Sequence, residues 1–134
     1  MIYILDTNVI SAVRRADRTP SLAAWLRAQP EEALFLSTVT LGEIERGIAR
    51  QEGRDPGFAA DLRGWLDRTT RLFADRILPF GAEEARIWGR LSAGIGHGGA
   101  DLMIAATALA RGATVVTGNI SDFEPTGVAL LDPF

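Results

Sequence analysis

Short apolar runs alternate along this chain with longer segments in which apolar residues recur at helical spacing. Five of the runs lack polar alternation and are predicted to be strands: Ile2–Leu5, Leu34–Ser37, Ile77–Phe80, Thr114–Thr117 and Val128–Leu131. Strands that are apolar at nearly every position are typical of a parallel sheet that is covered on both faces. The pattern therefore predicts such a sheet at the centre of the fold.

The segments between these strands have the period of amphipathic helices. Predicted helices cover Leu22–Ala28, Leu41–Gln51, Phe58–Phe73, Ala82–Ala93 and Leu102–Arg111. Gly112 follows the last of them, at the usual position of a helix C-cap. Alternating strands and helices predict a three-layer α/β fold with a mostly parallel five-stranded sheet. Because no loop is long enough to be an interdomain linker, we expect a single domain over residues 1–134.

Composition excludes several classes of site. The chain has no cysteine, so disulfides and thiolate metal sites are absent, and its one histidine, His97, cannot build a multi-histidine zinc site. Acids outnumber bases 17 to 14, the opposite of what a general nucleic-acid coat carries. The N-terminal residues do not have the pattern of a signal peptide, and no apolar run approaches the roughly 20 residues of a membrane span. We therefore expect a cytoplasmic protein with no membrane partner.

Acidic side chains follow the predicted strands. Asp6 comes directly after the first strand, and Glu43 lies near the start of the helix after the second. Asp101 begins the helix that leads into the fourth strand, and Asn119 and Asp122 lie in the loop after that strand. Sheets of this kind bind ligands beyond the carboxyl ends of their strands, so these side chains can converge on one edge.

A cluster of carboxylates without histidine or cysteine suits Mg²⁺ or Mn²⁺. Without a cation the acids would repel one another, and some would take up protons. With one or two cations such a site can polarise a phosphodiester and activate water. The set favours metal-assisted phosphoryl chemistry.

Each acid also has a structural interpretation. Glu43 lies three residues after Thr40, which is the spacing of a capping box. Asp101 suits the first turn of a helix through the helix dipole, and Asp122 suits a turn. For Asp6, at the buried end of an apolar strand, a functional role is the better explanation.

All the basic residues of the chain are arginines, and two groups of them lie near these acids in the sequence: Arg14, Arg15 and Arg18 after Asp6, and Arg46 and Arg50 after Glu43. Arginine suits bidentate phosphate contacts, so the two groups could form a basic rim around the acids. The alternative is a solvated face with an ion pair, either Glu43–Arg46 or one involving Glu45. His97 could contact substrate or be an ordinary exposed loop histidine.

Four motifs resemble those of PIN-domain ribonucleases: ILDTN at 4–8, STVTLGEIERG at 37–47, ADLMIAATA at 100–108 and VVTGNISDF at 115–123. Their order and spacing are similar to those of VapC-type toxins of bacterial toxin–antitoxin pairs, especially the FitB-like subgroup. The resemblance covers essentially the whole chain. It implies a PIN fold that hydrolyses RNA with Mg²⁺ or Mn²⁺, through in-line attack of activated water that leaves a 5′ phosphate and a 3′ hydroxyl.

The resemblance also implies site residues. Asp6, Glu43 and Asp101 match the three central acids, of which Asp6 and Asp101 are expected to ligate the principal metal. Family members differ in whether the fourth acid stands at the position of Asn119 or at that of Asp122, so this chain offers an amide at the first position and a carboxylate, the candidate catalytic Asp122, at the second. Gly118 departs from the polar or basic residue that is often found at its position.

Hydroxyl and amide side chains are expected to support the acids. Thr7, Asn8 and Thr117 are predicted to hold them by hydrogen bonds, and Asn119 and Arg46 to support them or contact substrate. The expected partners are RNA, a VapB-type antitoxin, and a second copy of the chain or a toxin–antitoxin hetero-oligomer. The apolar residues of the helices over 22–28 and 58–73 could supply the antitoxin groove or a dimer face, and Trp25 and Trp65 are expected to be partly exposed.

Two rival functions start from the same residues. A haloacid-dehalogenase-type phosphatase needs a second aspartate where Asn8 stands, and a lysine that the chain lacks. A catalytically weak PIN-fold regulator would act mainly by binding a DNA-binding antitoxin. Metal-dependent RNA cleavage distinguishes the nuclease from this regulator.

Overall fold

In a computed structural model, which describes residues 1–134, five strands form one all-parallel sheet. They are β1 (Tyr3–Leu5), β2 (Leu34–Ser37), β3 (Ile77–Leu78), β4 (Thr114–Val116) and β5 (Ala129–Leu131), in the spatial order β3-β2-β1-β4-β5. The chain builds outward from the central strand β1 to β3, then returns to add β4 and β5 on the other side. The predicted five-stranded parallel sheet is confirmed.

Seven α-helices connect or follow the strands: α1 (Thr7–Val13), α2 (Pro20–Ala28), α3 (Thr38–Glu52), α4 (Pro56–Leu72), α5 (Ala82–Ile95), α6 (Ala100–Arg111) and α7 (Ile120–Phe123). Short 3-10 turns lie at Ala16–Arg18, Glu31–Ala33 and Glu124–Thr126. None of the helices combines the length and the apolar character needed to span a bilayer.

Each face of the sheet is covered by its own apolar cluster. Leu5, Leu36 and Val116 belong to one cluster, with buried residues of α1 to α4 that include Val9, Leu22, Ile48 and Leu66. Ile4 and Val115 belong to the other, with Ile104, Ala105, Ala108 and Phe123 of α6 and α7. Neighbouring residues of a strand point to opposite faces, so strands without polar positions bury side chains on both. The three-layer prediction is confirmed.

Several helices begin earlier than the apolar pattern predicts. Helix α3 begins at Thr38 because the hydroxyl of Ser37 accepts a hydrogen bond from the Val39 N–H at 3.0 Å. The Asp55 carboxylate likewise accepts from the Phe58 N–H at 3.1 Å and caps α4. Polar capping turns contribute nothing to apolar periodicity, so the predictions began too late.

Two other segments also differ from the prediction. Residues 118–127, predicted as a loop, contain α7 and the 3-10 turn that follows it. Strand β3 ends at Leu78, two residues before the predicted end at Phe80. Both segments are short, and a four-residue helix has too few positions for its period to be visible in the sequence.

Candidate active site

The predicted acids lie around the carboxyl ends of β1 and β4, the neighbouring strands at which the order of the sheet reverses. Asp6 follows β1, and Thr117 follows β4. Helix α3 leaves the same edge after β2, and α6 begins near it because it runs back to the start of β4. This is the topological switch point where parallel sheets bind ligands.

Asp6 is buried and its carboxylate is fixed by two hydrogen bonds. One oxygen accepts from the Thr7 N–H and the other from the Thr117 hydroxyl, both at 2.8 Å, and the residue is 3% exposed. Burial raises the pKa of Asp6 to about 6, although both hydrogen bonds act in the opposite direction. The negative charges of Asp101 and Glu43 raise it further. Asp6 also caps α1, a structural role that the sequence analysis did not identify.

Glu43 lies half-buried in the second turn of α3 and is held from α1. The Thr7 hydroxyl donates to its carboxylate at 2.6 Å and lies 3.2 Å from the hydroxyl of Thr40. The capping-box interpretation is wrong, because Ser37 caps the helix and Thr40 is a fully buried residue inside it. Thr40 was not predicted to be part of this network.

The ion pairs formed by α3 lie outside the candidate site. Arg46 is exposed and forms no salt bridge with Glu43, so the proposed Glu43–Arg46 pair is absent. Glu45 instead pairs with Arg63 of α4 at 3.0 Å. No arginine therefore forms a salt bridge with the carboxylate of Glu43.

Asp101 is the second residue of α6 and is half-buried. Burial raises its pKa, as do the charges of Asp122 and, to a smaller degree, Glu43, while His97 acts in the opposite direction. His97 is exposed, and its ring nitrogen accepts a hydrogen bond from the Gly99 N–H at 3.3 Å. Asp101 therefore joins a set of mutually repelling carboxylates.

Asp122 and Asn119, the two candidates for the fourth position, have different surroundings. Asp122 lies exposed on α7, close enough to Asp101 to raise the pKa of that carboxyl. The Asn119 side chain is exposed and forms no hydrogen bond with an acid, although its backbone N–H donates to the Thr117 hydroxyl at 2.9 Å. The arrangement favours Asp122 as the fourth acid.

Packing explains the glycine at position 118, and Asn8 beside it does not contact an acid as predicted. The side-chain amide of Asn8 donates no hydrogen bond to an acid, contrary to the expectation, and its side-chain oxygen is buried without a partner. A Cβ on Gly118 would lie 3.1 Å from the ring of Phe134 and 3.3 Å from the Asn8 amide nitrogen. The crowding by Phe134 gives a physical reason for glycine at position 118, which sequence spacing could not reveal.

The donor set fits a hard divalent cation. No group of three or more acidic or histidine side chains is arranged to enclose a metal ion by itself. Mg²⁺ is usually held by one or two carboxylates together with water and substrate oxygens, so a complete protein cage is not required. The charge of Asp101 raises the pKa of Asp6, and neither acid forms a salt bridge with an arginine. Their unbalanced charge favours a bound cation.

Comparison with known proteins agrees with this geometry, since residues 3–124 match the sequence profile of the PIN domain. This chain belongs to the PIN-domain family. The VapC ribonuclease Y4jK of Sinorhizobium fredii is 36% identical, over 99% of this chain and 98% of that protein. The toxin FitB of Neisseria gonorrhoeae is 35% identical, over 99% of both chains.

Solved structures show the same fold. A chain of the crystal structure of FitAcB from Neisseria gonorrhoeae superposes with a TM-score of 0.85 at 33% identity, over 98% of both chains. A chain of VapBC2 from Rickettsia felis, bound to a DNA fragment from its promoter, superposes with a TM-score of 0.75 at 25% identity, again over 98% of both. The predicted resemblance to VapC and FitB proteins is confirmed.

Proposed function

We propose that this PIN domain, spanning residues 1–134, is the ribonuclease toxin of a type II toxin–antitoxin pair and acts in the cytoplasm. It hydrolyses RNA phosphodiester bonds with Mg²⁺ or Mn²⁺. The observation that carries the proposal is the acid cluster at the switch point, where four carboxylates lie without a cation partner. The names of the similar proteins, a VapC ribonuclease and a toxin, support the same activity.

The proposed roles of the acids follow from their surroundings. Asp6 and Asp101 would hold the ion, since both are at least half-buried and both have pKa values raised by burial and by neighbouring carboxylates. When bound, the ion supplies Lewis-acid polarisation of the phosphodiester and a more acidic water. Glu43 and Asp122 would complete the surroundings of the ion or orient the attacking water.

The hydroxyl groups of two threonines are proposed to position these acids. Thr117 donates to Asp6 and Thr7 donates to Glu43, so each hydroxyl fixes one carboxylate oxygen and leaves the remaining lone pairs available. Such supporting contacts typically change metal affinity or activity 10- to 100-fold when removed. Arg46, exposed and unpaired one helical turn after Glu43, is positioned to contact RNA phosphate.

A VapB-type antitoxin is the proposed regulatory partner. The similar structures FitAcB and VapBC2 are named for two components, and the VapBC2 assembly is bound to promoter DNA. By this similarity we propose that the chain assembles with an antitoxin that binds DNA. Trp25 and Trp65 are both half-buried, as predicted, and Trp25 is available for such contacts.

RNA cleavage by purified, antitoxin-free protein tests the nuclease. Wild type, Asp101→Asn and Asp67→Asn would be incubated with RNA pools and Mn²⁺ or Mg²⁺, with and without excess chelator. Asp67 is an exposed acid on α4 and serves as the matched charge control. We expect cleavage by wild type and Asp67→Asn that chelator abolishes, and a loss of more than about 100-fold in Asp101→Asn.

The alternative, a weak regulator, predicts another result. Folded wild-type protein would then bind metal and antitoxin but cleave no RNA pool above the rate of Asp101→Asn. That result would contradict the ribonuclease proposal and leave the antitoxin interaction as the main activity.

A further inference from the structure

A groove beside Glu43 joins the candidate active site to two aromatic rings. The groove has a volume of about 270 Å³, and α1, α3 and α4 supply its walls. Thr7 and Glu43 line it together with Arg14, Phe58 and Trp65. Any group bound there lies next to the acid cluster.

The aromatic side chains of this groove are only partly buried in the core of the protein. Trp65 packs against one apolar cluster but stays half-buried, and Phe58 belongs to neither cluster although it is also half-buried. The guanidinium of Arg14 lies 5.5 Å from the centroid of each ring. Arg14 is exposed and pairs with no carboxylate, so its charge is not neutralised within the chain.

We propose that this groove is a base-stacking subsite for single-stranded RNA. One base adjacent to the cleaved phosphodiester stacks on the surface formed by Phe58, Trp65 and the Arg14 guanidinium, whose positive charge meets a neighbouring phosphate. This inference rests on the proposed ribonuclease function. It adds the residues that hold the substrate and the preference for unpaired RNA.

The chemistry of the groove favours RNA over a peptide. Aromatic and guanidinium planes stack well on the flat faces of bases, and a duplex does not offer these faces. The unpaired positive charge of Arg14 attracts phosphate, and the position of Glu43 in the same wall places the occupant beside the reacting bond. Because every base has a flat face, stacking favours unpaired RNA without strong sequence preference.

RNA binding without cleavage provides the test. In the Asp101→Asn background, anisotropy would report the affinity for a short labelled single-stranded RNA in the presence of Mg²⁺. Because a base that stacks on an aromatic ring binds more tightly, Trp65→Ala should weaken binding about 10-fold. Trp65→Phe should restore most of the affinity, and Leu72→Ala, at an exposed position of the same helix, should have no effect.

An abasic oligonucleotide distinguishes stacking from a general effect on the fold. Removal of the stacked base should weaken binding to the Trp65-containing protein by a similar factor, and Trp65→Ala should then cause no further loss. In cleavage-competent protein, Trp65→Ala should change KM for RNA more than kcat. Thermal unfolding would verify that the variants are folded.

Three results would overturn the subsite. The first is an equal RNA affinity with tryptophan or alanine at position 65. The second is that the losses of affinity from Trp65→Ala and from removal of the base are additive. If Trp65→Ala weakens antitoxin binding but not RNA binding, the groove is a peptide site and the inference is wrong. Failure of wild type to cleave RNA would contradict the nuclease instead, so the two failures are distinguishable.

Discussion

Charged side chains on the outer surface of α3 and α4 are balanced, whereas those at the carboxyl edge of the sheet are not. On the surface, Arg63 pairs with both Glu45 and Glu52, and all three side chains are about half exposed. At the edge of the sheet, Asp6 and Asp101 have raised pKa values, and burial is the largest cause for both. Opposite charges meet in the first region, and like charges meet in the second.

The difference separates a structural arrangement of charge from a functional one. Exposed ion pairs contribute little to stability because water already solvates both partners. Buried acids without a counter-ion oppose folding, because the charged form loses water and repels its neighbours. Under the proposed function, a cation that the chain itself does not provide stabilises the acid cluster.

The largest expected effect concerns the burial of Asp6. Without divalent metal, the free energy of unfolding should fall as pH rises from about 4 to about 6. In this window the unfolded chain has released the Asp6 proton while the folded chain still holds it, so rising pH favours unfolding. The predicted loss is on the order of 3 kcal/mol, measured by urea denaturation in chelator.

A matched pair of variants isolates this effect. Asp6→Asn should flatten the pH dependence and be more stable than wild type at pH 8, whereas Asp67→Asn should keep the wild-type dependence. Addition of Mn²⁺ should remove the fall in the free energy of unfolding with rising pH in wild type. A stability curve that is identical for wild type and Asp6→Asn would contradict the account.

The next effect concerns the Thr117 hydroxyl, which donates to Asp6 and accepts from the Asn119 N–H. Thr117→Val should destabilise the metal-free protein by about 1–3 kcal/mol at pH 8 and lower cleavage about 10- to 100-fold. Thr107→Val is the control, because Thr107 is equally buried but donates to the Met103 carbonyl of its own helix. If both variants lower cleavage equally, Thr117 has no special role in positioning Asp6.

A smaller loss of RNA cleavage is expected from a substitution at Thr7. Its hydroxyl donates to Glu43, which is half-buried. Thr7→Val should lower cleavage about 10-fold, since Glu43 loses the contact that orients it. Thr7→Ser retains the hydroxyl and should restore most of the activity. Single-turnover cleavage rates measure the effect, and equal rates for valine and serine at this position would argue against it.

The smallest effect is expected on the outer surface of α3 and α4, where opposite charges are paired. Arg63→Ala should leave the midpoint of unfolding nearly unchanged, and high salt should remove any difference. RNA cleavage should match wild type, because Arg63 pairs with acids outside the site. A large loss of cleavage in this variant would show that the two regions are not independent.

Apolar periodicity predicted the layers and the strands because burial on both faces leaves a direct signal in the sequence. It missed the first turns of α3 and α4, where the signal is a polar cap such as Ser37 or Asp55. It also gave no sign that Thr40 lies against Thr7, since the two residues are 33 positions apart.

The acids of the candidate site were predictable because each follows a strand or begins a helix at the same edge of the sheet. The choice between Asn119 and Asp122 required the fold, since it depends on which side chain α7 places near Asp101. The packing of Phe134 on Gly118 was equally hidden, because it joins the last residue of the chain to the loop after β4.

Binding of Mn²⁺ to wild type and Asp101→Asn at pH 8, followed by electron paramagnetic resonance, tests the central claim most directly. The account predicts that wild type binds Mn²⁺ and unfolds at a higher temperature in its presence, while Asp101→Asn shows neither effect. Equal binding by both proteins, or none by folded wild type, would contradict the assignment of a cation site to these acids.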